Sequence, residues 1–147
     1  MQYYCRGANA ENVRGEVVFA QAMLETGWLS FGGDAGIDQF NFAGLGTTGG
    51  GVKGIAFPDV RTGIRAQVQH LKAYASTDSL NQECVDERFD YVTRETAPYV
   101  EWLGNPGKIL MAAAGAAGKD YGSKLRKILT DFEIRGHKNG TWRLYFY

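Results

Sequence analysis

The stretch that decides the fold reads Asn12-Val13-Arg14-Gly15-Glu16-Val17-Val18-Phe19-Ala20-Gln21-Ala22-Met23-Leu24-Glu25-Thr26-Gly27-Trp28-Leu29. Val18, Ala22, Glu25 and Leu29 recur at i, i+4, i+7 and i+11, the repeat of one helix face, and Val17, Met23 and Leu24 widen it. Gly27 and then Gly32-Gly33 mark the end of the helix. This face is apolar except at Glu25. A carboxylate set among Val18, Ala22 and Leu29, with Trp28 three positions on, loses hydration, so its pKa is expected to rise. A carboxyl group that keeps its proton near neutral pH is what general-acid catalysis needs. The break after the helix places Glu25 at the mouth of a cleft. The competing reading is an ordinary helix glutamate that reaches solvent or pairs with an arginine.

Downstream, residues 30–41 read as a loop containing Gly32, Gly33, Asp34, Gly36 and Asp38. Between Gly44 and Gly54, six of eleven positions are glycine. Phe42, Leu45, Thr47 and Thr48 precede the Gly49-Gly50-Gly51 cluster, and Val52, Ile55 and Phe57 follow it. Short β-prone runs around glycines predict a small hairpin with a flexible tip. A phosphate loop does not fit, because Lys53 is followed by Gly54 and no helix opens there. Pro58-Asp59 marks a turn and Thr62 is the expected cap of a second helix. That helix carries the stripe Ile64, Val68, Leu71 and Ala75, with Arg65, Gln69 and Lys72 on its polar face. Residues 76–86 read as loop, and a short helix is expected around Phe89 to Arg94. Pro98, Gly104, Pro106 and Gly107 break the next stretch, and residues 108–117 have helical composition. A last helix is expected from an Asp120 cap, lined by Tyr121, Leu125, Ile128 or Leu129, and Phe132. The sum is a mainly α chain with one small β-hairpin lobe.

The 147 residues make 16.2 kDa, the size of one domain that buries about two-thirds of its unfolded surface. Sixteen basic residues cancel sixteen acidic ones. Neutrality argues against nucleic-acid or anionic-membrane binding, which needs a basic face. Twenty glycines and 19 aromatic rings, 8 Phe, 8 Tyr and 3 Trp, suggest shaped loops and stacking surfaces. No apolar run reaches the ~18 residues of a membrane span. Met1 to Arg6 lacks the apolar core of a signal peptide, so we expect a cytosolic protein or a domain of a longer secreted one. Cys5 and Cys84 are expected as free, buried thiols. The alternative is a disulfide contributing about 4.5 kcal/mol. Two isolated histidines, His70 and His137, give no zinc spacing. No metal and no cofactor are expected.

Ala20-Gln21-Ala22-Met23-Leu24-Glu25-Thr26-Gly27-Trp28 resembles the catalytic helix of the peptidoglycan N-acetylglucosaminidases of glycoside hydrolase family 73, in the lysozyme-like superfamily. The pattern there is Ala-Gln-x-x-x-Glu-Ser/Thr-Gly. Asn41-Phe42-Ala43-Gly44-Leu45 is similar to the element that leads into the family's β-lobe. Phe57-Pro58-Asp59-Val60-Arg61-Thr62-Gly63-Ile64 resembles the strand-to-helix passage that follows it. Tyr74 lies in the helix that usually ends this unit, and Asp120-Tyr121-Gly122-Ser123-Lys124-Leu125 resembles a later helix start. These elements occur in family order over about residues 12–130.

The resemblance implies a lysozyme-like α+β fold and cleavage of the β-1,4 bond on the reducing side of N-acetylglucosamine in peptidoglycan. It makes Glu25 the proton donor and places Tyr121 near the reaction centre, holding the 2-acetamido group or the water, or else packing in the core. Asn41 either binds sugar or ties down the turn into the lobe. Trp28 and Phe42 are sugar platforms or core residues. Two-carboxylate glycosidases need a second Asp or Glu about 5–9.5 Å from the first. Residues 39–58 contain neither. Asp34, Asp38 and Asp59 flank the lobe and remain candidates, although turn and cap roles suit them too. The other option is attack by the substrate's own 2-acetamido oxygen.

The expected partner is the peptidoglycan glycan strand, held by a monomer. The domain is expected to span residues 1–135, with 136–147 a C-terminal strand or the start of a linker. Peptidoglycan places the action outside the cytoplasm or in the cell wall, in a longer secreted or phage-encoded protein. The rival readings are a lytic transglycosylase or muramidase on the same fold, a non-catalytic wall-binding module, and a phage tail or host-interaction protein that carries the domain.

Overall fold

A computed structural model describes residues 2–104, 120–131 and 143–145. Four helices organise it: α1 (Gln2–Ala10), α2 (Gly15–Glu25), α3 (Val60–Ala75) and α4 (Tyr121–Asp131). Short 3-10 turns cover Ile37–Gln39, Phe89–Tyr91 and Val100–Trp102. The expected segment 108–117, Phe132 and His137 lie outside the described residues.

The central element is α2. Val17, Val18, Ala20, Gln21, Ala22 and Met23 are all buried, so this helix is enclosed by the others and does not lie on one side of the core. α1 and α4 pack on it, and α3 packs across α1 and α2. α1 was not foreseen in the sequence. It contributes Tyr4 and Ala8, one turn apart, to the core, where the Tyr4 ring meets Phe19 at 5.7 Å and Phe42 at 6.2 Å. α4 buries Tyr121, Leu125, Ile128 and Leu129 on the expected face. Its Gly122 lies against Val100, where a Cβ would come within 2.6 Å of the carbonyl oxygen.

The first helix boundary differs from its periodic reading. α2 stops at Glu25, and Leu29 projects from a turn beyond it. Gly27, Trp28, Leu29 and Phe31 all have positive φ, from 50° to 63°. Three of these are not glycine, so the turn stores backbone strain. Thr26 holds it in place. Its hydroxyl donates to Ala22 O at 2.6 Å and accepts from the Leu29 amide at 2.9 Å, while Phe31 N–H returns to Thr26 O at 2.9 Å.

The glycine-rich lobe is an irregular loop, not a strand ladder, and the described residues contain no regular strand. Two backbone bonds cross it, Ile55 N–H to Leu45 O at 2.9 Å and Phe57 N–H to Gln39 O at 2.8 Å. Positive φ at Gly44, Gly46, Gly49, Gly50, Gly51 and Gly54 interrupts extended pairing. Asp59, and not Thr62, caps α3: its Oδ1 accepts the Thr62 amide at 2.8 Å.

Both residues expected on the polar face of α3 beside Arg65 are buried. Lys72 is 1% exposed and its ammonium meets Glu11 Oε2 at 2.8 Å. Glu11 also accepts the backbone amides of Asn81 and Gln82. Gln69 binds the backbone of Glu83, Val85 and Asp86. These polar side chains clamp the loop 76–86 to the helices. Residues 143–145 also pack on the body, with single antiparallel bridges to Tyr99 and Val13 and a fully buried Leu144. Cys5 is half-buried and Cys84 exposed, and neither forms a disulfide. No described helix is long and apolar enough to cross a membrane.

Candidate active site

Glu25 is the last residue of α2 and opens on a cleft of about 200 Å³, lined with Thr26, Phe31, Asp34, Asn41 and Gly44 among others. Burial raises its carboxyl pKa, partly opposed by a hydrogen bond from Tyr121. Its place at the C-terminal, negative end of the helix acts in the same direction as burial. The expectation of a desolvated carboxyl at a cleft mouth therefore agrees with the geometry.

The bond from Tyr121 is short. The hydroxyl, at the first residue of α4, donates to Glu25 Oε1 at 2.5 Å. Burial first, and then the adjacent Glu25 carboxylate, hold the phenol pKa well above its usual value. Gln21 Nε2 donates to the same hydroxyl at 3.1 Å, and Gln67 Nε2 donates to Gln21 Oε1 at 3.0 Å and to Val18 O at 2.9 Å. The polarity of this chain starts at Val18. A backbone carbonyl only accepts, so the amide nitrogen of Gln67 must face it. Gln21 must then present its oxygen to Gln67 and its nitrogen to Tyr121. The phenolic proton is left for Glu25 Oε1, while Oε2 lies on the Gly44 side, 3.5 Å from where a Cβ on Gly44 would sit.

The other candidates separate. Asp34 lines the cleft, and its Oδ1 accepts the Gly51 amide at 3.1 Å. Asp38 is exposed at the 3-10 turn after Gly36. The Asp59 carboxylate is exposed and occupied as the α3 cap, a bond that lowers its pKa. Asn41 is buried with three hydrogen bonds: its Nδ2 donates to Leu45 O at 2.8 Å and Ile55 O at 2.9 Å, and its Oδ1 accepts the Leu45 amide at 2.9 Å. It staples the lobe that forms one wall of the cleft. Phe42 is 8% exposed, edge-on to Phe31 at 6.1 Å, so its ring is used in the core. Trp28 is 56% exposed on the strained turn, outside the residues that line the cleft. Among the described residues no cluster of His, Cys, Asp or Glu could hold a metal.

Gln67 escaped the sequence reading. The signal was present: it lies three residues after Ile64 and four before Leu71, a polar interruption of an apolar face like Glu25 itself. Thr26 and Gln21 were seen only as parts of a motif.

A family model described as glucosaminidase, mannosyl-glycoprotein endo-beta-N-acetylglucosaminidase, matches residues 1–134. An uncharacterized protein of Borreliella burgdorferi is 40% identical over 121 residues, which cover 82% of this chain and 55% of that protein. The chain thus spans about half the length of this curated relative. No solved structure is significantly similar to it. The match extends over nearly the whole chain, including α1, the Glu25 helix, the glycine-rich lobe and the Tyr121 helix, and the chain therefore belongs to the glucosaminidase family of glycoside hydrolases.

Proposed function

We propose that the domain hydrolyses the β-1,4 bond on the reducing side of N-acetylglucosamine in peptidoglycan, with Glu25 as general acid. The observation that carries this reading is the partly buried, directed hydrogen bond from Tyr121 to Glu25 at the mouth of a cleft. It fixes one carboxyl oxygen and leaves Oε2, on the lobe side, to carry the proton. Tyr121 acts on the carboxyl group and not on the sugar, since its hydroxyl is buried and engaged by both Gln21 and Glu25.

The 2-acetamido oxygen of the sugar attacks the anomeric carbon as Glu25 protonates the departing glycosidic oxygen. The ionised Glu25 then takes a proton from the water that opens the resulting oxazolinium ring, and configuration is retained. Asp34 is the one flanking carboxylate of the three that lines the cleft, and we assign it to the acetamide N–H. A neutral glycan suits a neutral chain, held by hydrogen bonds and apolar contacts. The substrate places the site of action outside the cytoplasm, in the cell wall.

Digestion of purified peptidoglycan tests this. New reducing N-acetylglucosamine ends from the wild type, and none from Glu25→Gln, are expected. Ends bearing 1,6-anhydro-muramic acid would assign the domain to the lytic transglycosylases. Binding without cleavage would make it a wall-binding module.

A further inference from the structure

A second concavity, of about 300 Å³, lies between α1 and the start of α3 and shares no lining residue with the Glu25 cleft. Tyr3 and Arg6, three apart on α1, face Arg61 and Arg65, four apart on α3, with Ile64 and Gln82 completing the wall. These spacings put each pair on one helix face. The helices come close because Gly7 has no side chain: a Cβ there would lie 3.3 Å from Ile64 Cγ2. The floor is therefore apolar and the rim cationic.

Three guanidinium groups in one concavity repel one another. None of the three forms an ion pair among the described residues. The exposed Asp59 carboxylate, which serves as the α3 cap, feels the charge of Arg61 but forms no ion pair with it, and neither Arg6 nor Arg65 acts on it. The chain as a whole is neutral, so the cluster does not reflect general basicity. Tyr3, 61% exposed, adds an aromatic face at the rim. The volume is at the small end of ligand pockets, about 300–1,000 Å³, which suits the end of a peptide better than a polysaccharide chain.

We propose that this concavity binds carboxylate groups of the peptides that branch from the glycan strand. The inference rests on the reading of the Glu25 cleft as peptidoglycan-cleaving. The sugar chain is mostly uncharged, whereas its peptide branches carry several carboxylates. The planar fork of arginine matches a carboxylate with two parallel hydrogen bonds. The site would thus select peptide-bearing wall material while the cleft handles the sugar bond.

Co-sedimentation with insoluble peptidoglycan tests it, using material freed of phosphate polymers by hydrofluoric acid. One half keeps its peptides and the other is stripped of them by an amidase. The wild type is expected to bind peptide-bearing material about tenfold or more tighter than stripped glycan. The Arg6→Gln/Arg61→Gln/Arg65→Gln variant should lose that preference, yet cleave stripped glycan at the wild-type rate. Arg61→Gln alone, at an exposed position, should lose part of it, which guards against a triple variant that misfolds. Equal wild-type binding to both materials, or a preference that survives the triple substitution, overturns the proposal. So does a preference seen only before acid treatment, which would assign the arginines to phosphate groups. A wild type that keeps the preference but cleaves no glycan overturns the hydrolase reading and leaves the arginine site standing.

Discussion

The Tyr121 hydroxyl donates to Glu25 Oε1 at 2.5 Å, joining the first residue of α4 to the last residue of α2 across 96 positions of sequence. The bond favours the ionised carboxyl and so opposes the upward push of burial. Removing it with Tyr121→Phe keeps the ring in the core and lets the Glu25 pKa rise further. A general acid works only while protonated, so activity falls as pH rises through that pKa. The basic limb of the pH–rate profile should therefore move to higher pH in Tyr121→Phe. Its maximum should drop about 10–100-fold, the worth of one hydrogen bond to a charged group. An unmoved limb would detach Tyr121 from the acid.

Much of this site was legible in advance because a carboxylate on an apolar stripe is a local signal. The helix, the break at Gly27 and the position of Glu25 all follow from spacing within about one dozen residues. What the sequence hid were polar residues whose partners are distant. Lys72 sits on α3 where a solvated face is the ordinary expectation, yet its partner Glu11 is 61 positions away. The lobe departs from the expected hairpin for the reverse reason. β-prone residues signalled strands, but the intervening glycines adopt positive φ and the Asn41 side chain supplies bonds that a ladder would otherwise make.

The same desolvation makes a prediction about stability. A folded-state pKa raised above the unfolded value, about 4.3, means that the native state holds its proton more tightly. That contribution is fully present below the unfolded pKa and is lost as pH rises through the folded one. At neutral pH the ionised Glu25 is thus a burden that Glu25→Gln relieves, while the amide oxygen still accepts from Tyr121. Glu25→Gln should melt higher than wild type at pH 7–8, by roughly 2–4 °C for each kcal/mol relieved. The gain should shrink toward zero below pH 4. Thermal melts of both proteins across this range decide it, and a lower Tm for the variant at pH 8 would contradict the assignment.

The Lys72–Glu11 pair is almost completely buried, at 1% and 0% side-chain exposure. Lys72→Met leaves a carboxylate in the interior with only the Asn81 and Gln82 amides as donors among the described residues. Breaking such a pair from one side typically costs about 3–5 kcal/mol. Urea unfolding should show a loss of that size with the m-value unchanged. The double variant Lys72→Met/Glu11→Leu should recover part of it, since no uncompensated charge remains. A double variant as unstable as the sum of its singles would mean that the two side chains do not act as a pair.

Gly63 sets how closely α3 approaches the loop before the lobe. A Cβ there would fall 1.9 Å from the Phe40 carbonyl oxygen, which is backbone and cannot swing away. Gly63→Ala must push α3 and the Phe40 segment apart, and Asn41 next to it anchors the cleft wall. We expect a loss of stability of about 1–3 kcal/mol, typical of overpacking. A larger fall in kcat than the fraction unfolded explains is also expected. Wild-type activity per folded molecule would show that the lobe position is not set from α3.

Gln67 separates a positioning role from a structural one. Its Nε2 holds Val18 O and Gln21 Oε1, but its own Oε1 is buried with no partner among the described residues. An unsatisfied buried oxygen costs about 1–3 kcal/mol, while each of the two hydrogen bonds is worth about 1 kcal/mol net. Gln67→Met keeps the volume and removes both terms, so stability should change by less than about 1 kcal/mol. Activity should change more. Without Gln67, nothing from α3 fixes the Gln21 amide, and a flipped Gln21 would offer its oxygen to the Tyr121 hydroxyl. The phenolic proton would then divide between Gln21 and Glu25, leaving the carboxyl both less ordered and less acidic. The expected result is a kcat lowered by several-fold, roughly 1 kcal/mol of barrier, with KM near wild type. The basic limb should move upward as in Tyr121→Phe but by less. If Gln67 only fills space, Gln67→Met will leave both kcat and the pH profile where they are. A Gln21→Met variant that reproduces the Gln67→Met profile, with no further effect in the double variant, would place both glutamines on one path to Glu25.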